Sequence, residues 1–453
     1  QARAVLARAD LAIVDAEVSA LDPGGIRDVR ARQGGGELLA YLTSEEIPRE
    51  ADEAERPLAT ARFDRIAPAF WLTEVGSTLV ADVPAGATTF EVARPDAFRV
   101  HPVASDFYPA DEPTYLLVGA EHVKLVGVEG STLRVERGYR SSAVAHAAGE
   151  KIAAHVVFFS GTWMLNLAST APEDPSTHTR WRDLVAEEAA GLVASGPWTG
   201  AFLDVCFDDI SWLDGGRFDV DADGVADDPT QASRAWSDGM GLLIDALRAK
   251  IGDDAPIVAN PGAENCPHRA LDGILLEGWP IGLPREDLSF EAGLARYLDW
   301  SVTQAKPFVV ANAFSPKIGF GVISPADDAI ARRDFASMRF GLAVALMGDG
   351  YSSYDNGVFG HNVAWTYDEY DGPGQGWLGF PRGAMARGPG GLLTREFDGG
   401  FVIANPTSAS LAATVPAGFA RLVGAQDPAH NDGRPVDGPL NVDARDAYLL
   451  QRR

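Results

Sequence analysis

The stretch GPWTGAFLDVCFDDISW (196–212) contains a short apolar run, AFLDV (201–205), that reaches a carboxylate and then turns into an acidic, aromatic loop. Five residues, four of them apolar, are strand-length, and the following segment, ASRAWSDGMGLLIDALRAK (232–250), repeats apolar residues at helical spacing. A strand, a helix and a further strand make the βα unit of a parallel sheet. Outward from this unit the same pattern recurs, giving eight runs: LAIVD (11–15), ELLAYL (37–42), TWMLNL (162–167), AFLDV (201–205), PIVAN (256–260), GILLE (273–277), PFVVAN (307–312) and the apolar approach to GDGYSSYD (348–355). RWRDLVAEEAAGLVAS (180–195), FEAGLARYLDWSVTQA (290–305) and DDAIARRDFASMRFGLAVALM (327–347) supply further helices. Eight strands with helices between them predict an α/β fold, a (β/α)8 TIM barrel.

Two regions break the alternation. Residues 77–155 turn to short strand-like pieces between Gly and Asp turns, such as TTFEVA (88–93), TYLLVGAEHVKLVGVEG (114–130) and STLRVERGY (131–139). They read as an inserted small all-β module, tolerated because closing a longer surface loop costs little extra. From about residue 390 the pieces LLTREFDG, GFVIANPT, LAATVPAG, ARLVGA and DAYLLQRR read as a C-terminal β-sandwich. The expected division is therefore 1–76 and 156–389 for the barrel, 77–155 for the insert and 390–453 for the sandwich.

With 64 acidic against 38 basic residues the formal charge is −26, which repels phosphate backbones and anionic lipid surfaces. Nucleic acid is an unsuitable partner for such a chain. No apolar run approaches the roughly 20 residues that span a bilayer, so membrane insertion is not expected. The opening QARAVLARADLAIVD lacks the order of a signal peptide, and a trimmed, exported chain at the cell surface or outside the cell is expected. Two cysteines, Cys206 and Cys266, rule out a disulfide scaffold; they pair if their loops meet and are otherwise buried thiols. Composition says nothing about oligomeric state.

In a barrel the loops after the strands build the active site. Several runs end there in acids: Asp15 and Glu17, Glu45 and Glu46, Asp204 with Asp208 and Asp209, Glu277, and Asp349 with Asp355. A lone carboxylate at a strand end is most often a helix cap or an ion-pair partner. Asp204 and Glu277 stand out because each closes an apolar run, where an ionised group is costly unless it has a task or a partner. Cleaving a glycosidic bond takes two carboxyl groups, one to protonate the leaving oxygen and one to attack carbon or activate water. Asp204 as nucleophile and Glu277 as acid/base is the favoured assignment, with retention expected. The reverse roles, or a substitution of one member by Asp208, Asp209 or Asp355, stay open.

Candidate substrate contacts around this pair are Asp15, Glu17, Glu45, Asp208, Asp209 and Asp355, the run-ending amides Asn260 and Asn312, and Tyr354 and His361. Trp163, Trp279 and Trp365 are candidate sugar platforms, although tryptophans serve more often as core. DVDADGVADD (219–228) places Asp219, Asp221, Asp223 and Asp227 at positions 1, 3, 5 and 9 of a calcium-type loop, with Gly224 at its turn. Thr230 stands where the bidentate Glu belongs, which departs from full EF-hand geometry and leaves two readings, a modest structural Ca2+ site that braces the loop or a plain acidic loop. No cofactor is required for the proposed chemistry. A phosphate-binding glycine loop, a GxSxG elbow and an HExxH pair are all absent from the sequence.

The segments GPWTGAFLDVCFDDISW (196–212), APIVANPG (255–262), LDGILLEGWP (271–280), MRFGLAVALMGDGYSSYD (338–355) and REFDGGFVIANPT (395–407) resemble the hypothetical glycosyl hydrolase family numbered 15. A more distant likeness is to glycoside hydrolase family 114, the endo-α-1,4-polygalactosaminidases. The resemblance implies a TIM barrel with a catalytic Asp after its fourth strand, here Asp204, and a catalytic Glu after its sixth, here Glu277. The insert, through 117–150, is similar to small β modules of phage tail and surface proteins. A microbial extracellular or cell-wall polysaccharide, or its oligosaccharides, is the expected substrate. A barrel that binds carbohydrate without turnover, or serves structurally, is the alternative.

Overall fold

The computed structural model describes residues 2–103, 105, 107–261, 271–282, 289–303, 306–318, 324–355 and 365–453. Seven strands form one sheet: β1 (Leu11–Asp15), β2 (Glu37–Thr43), β3 (Gly200–Asp204), β4 (Ile257–Ala259), β5 (Gly273–Glu277), β6 (Val310–Phe314) and β7 (Tyr351–Asp355). Their spatial order equals their chain order and every neighbouring pair is parallel. Sequential parallel strands need a crossover each, and like-handed crossovers curl the sheet on itself. Leu39, Phe202, Val258 and Phe308 form a buried cluster joined by Leu11, Ile13, Tyr41, Leu275 and Tyr351. The first and last strands thus share one central plug with those between them, and the sheet is a nearly closed, barrel-like one.

The run TWMLNL does not join this barrel. Only Thr162–Met164 is a strand, and it pairs antiparallel with Glu46–Pro48. The reason lies in β2, whose two edges are already taken by β1 and by β3, leaving no seat for a strand between them. Apolar character here reflects burial in a core, with Trp163, Leu165 and Leu167 all inaccessible. Among the described residues the expected count of eight therefore becomes seven.

Helices cover the outer face. α1 (Pro23–Arg32) starts at Asp22, whose carboxylate accepts the Gly25 amide. α2 (Trp181–Ala194) buries Trp181, Val185, Ala186 and Ala189 and packs on α3 (Pro229–Ile251). Asp228 caps α3 by accepting from the Thr230 and Gln231 amides, and Gly252, at φ +77°, ends it. Gly239 lets α3 approach the chain closely, since a Cβ there would lie 1.7 Å from the Leu167 carbonyl oxygen. α4 (Phe290–Thr303) follows β5.

The single helix expected over 327–347 is two, α5 (Pro325–Arg332) and α6 (Phe335–Ala345). Asp334 lies at the break, fully buried, where its carboxylate accepts from Ser315 Oγ and pairs with Lys317 Nζ, both at 2.6 Å. Ion pairing to the segment after β6 wins over helix continuity.

Between β2 and β3 the chain forms a six-stranded antiparallel sheet from short strands within 77–154, around an apolar cluster of its own that includes Phe90, Leu116, Val123, Leu133 and Ile152. After β7 a five-stranded sheet, built from strands between Ala386 and Arg452, packs one face on α6. Its other face meets the ladder Leu411–Ala413 with Leu440–Val442 across Phe401, Ile403, Phe419 and Leu450. No described helix is long and apolar enough to cross a membrane.

Candidate active site

Side chains alternate along a strand, so residues two apart share a face. The plug residues Ile13, Tyr41, Phe202, Val258, Leu275 and Tyr351 point inward. Two residues further on lie Asp15, Thr43, Asp204, Asn260, Glu277 and Ser353. The barrel thus changes from apolar to polar in one step at its C-terminal rim. The acids at the strand ends are there by register, and not by chance of loop folding.

At the centre of the rim stands one amide. Asn260 Nδ2 donates to Asp204 Oδ1 at 3.0 Å and to Glu277 Oε2 at 3.1 Å. It follows β4, the strand between those that carry the two acids. Facing two acceptors fixes which way the amide points, and leaves Asn260 Oδ1, buried and without a hydrogen-bond partner, as a spare acceptor. Tyr41 Oη donates to the other Asp204 oxygen, Oδ2, at 2.5 Å. Burial first, and then the Asp204 charge, push the Tyr41 hydroxyl far above its ordinary range, so it remains a donor. Asp204, Glu277 and Tyr41 are each half-buried, as groups open to a substrate must be.

The backbone beneath Asp204 is held on every side. Val205 adopts φ +50°, a costly conformation for a β-branched residue and one seen mainly where surrounding structure enforces it. Ser44 enforces it: its Oγ donates to the carbonyls of Asp204 (3.0 Å) and Val205 (2.7 Å), and its amide also donates to the Asp204 carbonyl. The Asn260 amide donates to the Leu203 carbonyl while the Asn260 carbonyl accepts from Cys206. Carboxylate and bridging amide are therefore fixed to each other through the main chain.

Glu46 is the residue that sequence reasoning passed over when choosing contacts. It is buried, its Oε2 lacks a partner, and burial, followed by the charge of Asp204, raises it to about 7. Its signal was only its place beside Glu45. Glu45 is wholly buried and takes a bond from Trp236 Nε1 at 3.0 Å, and desolvation pushes its carboxyl well above the usual carboxylate range. It cannot touch a substrate in the rim, which corrects the expectation for it. Glu17 likewise has both oxygens engaged, accepting the Leu58 and Ala59 amides at 2.7 Å each, at the start of the helix Pro57–Phe63. Asp209 accepts from Ser233 Oγ and the Ser211 amide, which makes it a loop brace.

Asp15 is exposed on the rim, and its charge is felt at Tyr41. Asp208 offsets part of the burial cost of Arg296 on α4, whose guanidinium is lowered to about 10. Asn312 pairs in register with Glu277, which puts it at the rim, and Asp355 ends β7 half-buried. Tyr354 is turned away, with its Oη donating to the Ala331 carbonyl at 3.0 Å.

The tryptophans require correction. Trp163 is 0% exposed and stacks on His155 at 4.1 Å within a packed group that includes Trp71 and His122. Trp279 is 3% exposed and packs against Phe290 and Tyr297. Neither can serve as a sugar platform as it stands, because both rings are buried in core contacts. Trp365 is exposed at 36%, under the Arg332 guanidinium, on the outer side of α5. His361 and Cys266 lie outside the described residues. Cys206 is buried with its Sγ 3.1 Å from Met240 Sδ.

In the acidic loop, Asp219, Asp221 and Asp227 each offer a carboxylate oxygen within 4.8 Å of the others. Asp223 is not brought into that group, since its Oδ1 accepts the Val225 amide at 2.7 Å.

Compared with solved structures, the chain aligns with the pyruvate kinase of Pyrobaculum aerophilum over 78% of its length at 9% identity and a TM-score of 0.26, spanning 64% of that protein. The Cryptosporidium parvum pyruvate kinase in complex with ADP gives the same coverage, identity and score, with 60% of that chain spanned. The alpha-glucosyl transfer enzyme XgtA aligns over 95% of this chain and 85% of its own at 11% identity and a TM-score of 0.40. The chain spans less than two thirds of either kinase, and overlaps this slight bear on no reaction. No curated protein matches. The model of a sequence family matches residues 151–401, which include β3 to β7 with Asp204, Asn260 and Glu277, and by that match the chain belongs to hypothetical glycosyl hydrolase family 15.

Proposed function

We propose that this chain is a retaining glycosidase of a microbial extracellular or cell-wall polysaccharide, with Asp204 as nucleophile and Glu277 as acid/base. The observation that carries the reading is the Asn260 amide bonded to both carboxylates at the rim of the barrel. Two oxygens bonded to one nitrogen, at 3.0 and 3.1 Å, bring the two acids to one place on the rim, as a pair that flanks a scissile glycosidic bond must be. The family's glycosyl hydrolase label agrees with a carbohydrate substrate.

The roles follow from the donors. Asp204 receives a hydrogen bond on each oxygen, from Tyr41 and from Asn260, and these two donors hold the carboxylate in one orientation. Each of its oxygens keeps a second lone pair, and one of them attacks the anomeric carbon as Glu277 gives its proton to the departing glycosidic oxygen. The C–O bond to the leaving sugar breaks and an ester to Asp204 forms. Glu277, now ionised, takes a proton from water, whose oxygen displaces Asp204 and regenerates both groups. Asn260 stays bonded to the pair throughout, and its free Oδ1 can accept from a sugar hydroxyl.

The test is release of new reducing ends from a panel of bacterial and fungal polysaccharides, with the anomer of the first product read by NMR. Cleavage with retained configuration is expected. An inverted product would overturn the nucleophile role, and saturable binding without cleavage across the panel would replace the enzyme by a carbohydrate-binding barrel.

A further inference from the structure

The loop between β3 and α3 brings three carboxylates together, those of Asp219, Asp221 and Asp227. Asp219 is 1% exposed, at the end of the strand Phe218–Asp219 that pairs with Thr73–Glu74. Its Oδ2 accepts from Lys151 Nζ at 2.6 Å and from the Gly224 amide at 3.0 Å. Its Oδ1 is buried with no hydrogen-bond partner among the described residues. A buried carboxylate oxygen without a partner carries its full desolvation cost, which proteins seldom leave unmet. Asp221 and Asp227 bring their own oxygens to within 4.8 Å of that carboxylate. Three carboxylates against one ammonium leave the group short by the charge of a divalent cation.

We propose that Asp219, Asp221 and Asp227 hold one Ca2+ ion. All the donors are oxygens, the hard ligands that Ca2+ and Mg2+ take. The spacing chooses between them: the three acids occupy positions 1, 3 and 9 of a twelve-residue loop, and Gly224, at φ +83°, occupies the sixth, where a calcium loop makes its sharp turn. Thr230 at the twelfth position cannot give the bidentate pair that tightens such loops, and Asp221 is exposed, so water completes the shell. Affinity in the range of weaker extracellular sites, on the order of 10⁻⁴ M, is the consequence.

The ion's place gives it a structural task. Lys151 belongs to the six-stranded sheet and Asp219 to the segment leading from β3 to α3, so the site lies on the seam between insert and barrel. Neither Asp204 nor Glu277 takes part, and the test is independent of any enzymatic activity. Protein stripped with a chelator is titrated with Ca2+ by calorimetry, and its thermal midpoint is followed in parallel. One saturable site per chain and a rise of a few degrees are expected, with Asp221→Asn, at an exposed position, and Asp227→Asn each weakening binding at least tenfold. Asp221→Asn is expected to leave the midpoint of the stripped protein unchanged. Failure of the wild-type chain to take up Ca2+ at millimolar concentration, or binding by Asp221→Asn as tight as wild type, would overturn the assignment.

Discussion

Two clusters of acids and aromatics sit within a few residues of each other along β2 and its extension, and they have opposite natures. On the barrel rim, Tyr41, Asp204, Asn260 and Glu277 form a half-open network in which every charge is met by a donor. Just past it, Glu45, Trp236, Trp163, Trp71, His122 and His155 are closed off, and burial pushes Glu45 up and His155 down, each toward its neutral form. His155 bonds His122 at 2.9 Å and stacks on Trp163. One cluster keeps charge within reach of solvent, and the other suppresses it. That contrast distinguishes a rim open to a ligand from a packed core more reliably than residue type does, since both clusters contain carboxylates and rings.

Breaking the rim should affect rate and not folding. Asp204→Asn or Glu277→Gln is expected to slow polysaccharide cleavage by about 10³-fold or more, measured as reducing-end release, with urea unfolding little changed. Breaking the closed cluster should do the reverse. Trp163→Ala is expected to lower unfolding free energy by about 3–5 kcal/mol while the folded fraction keeps its KM. A change in KM at constant stability would instead make Trp163 a substrate contact.

Glu46 joins the two clusters and sharpens the comparison. Its folded pKa, about 7, lies above the ordinary carboxylate value of 4.5. The folded state then binds the extra proton between those values, so its contribution is full below pH ~4.5 and lost as pH rises through ~7. Glu46→Gln, which stays neutral, should match wild type near pH 4.5 and exceed it at pH 8 by on the order of 3 kcal/mol. Parallel stability curves for the two proteins would contradict the burial argument. The smallest effect is expected from Tyr41→Phe, which removes one bond to a charged group: a loss of about 10- to 100-fold in kcat/KM, without loss of fold.

The sequence made much of this arrangement readable, and physical reasons mark where it stopped. β3 and β5 were legible because an apolar run that ends in a carboxylate stays visible in one dimension, and the same feature made Asp204 and Glu277 candidates. TWMLNL misled because a fully buried run has no periodicity, so nothing in it distinguishes a barrel strand from a strand in the core beside the barrel. The bridging role of Asn260 was not visible, since it depends on β4 lying between β3 and β5 and on one amide reaching both ways. Trp163 and Trp279 were misjudged because a tryptophan reads alike in a core and on a platform. The break at Asp334 was hidden because the partners that pull it from the helix, Ser315 and Lys317, come from elsewhere in the chain.

The central claim is that Asp204 and Glu277 are one active site joined by Asn260, and the most direct test is to trap the sugar on the enzyme. Glu277→Gln is mixed with a fluoride-activated glycoside of whichever sugar the wild-type protein releases, and the digested protein is examined by mass spectrometry. The account predicts one glycosyl adduct, on the peptide that contains Asp204, absent in Asp204→Asn. An adduct on another carboxylate, or the same adduct in Asp204→Asn, would contradict it.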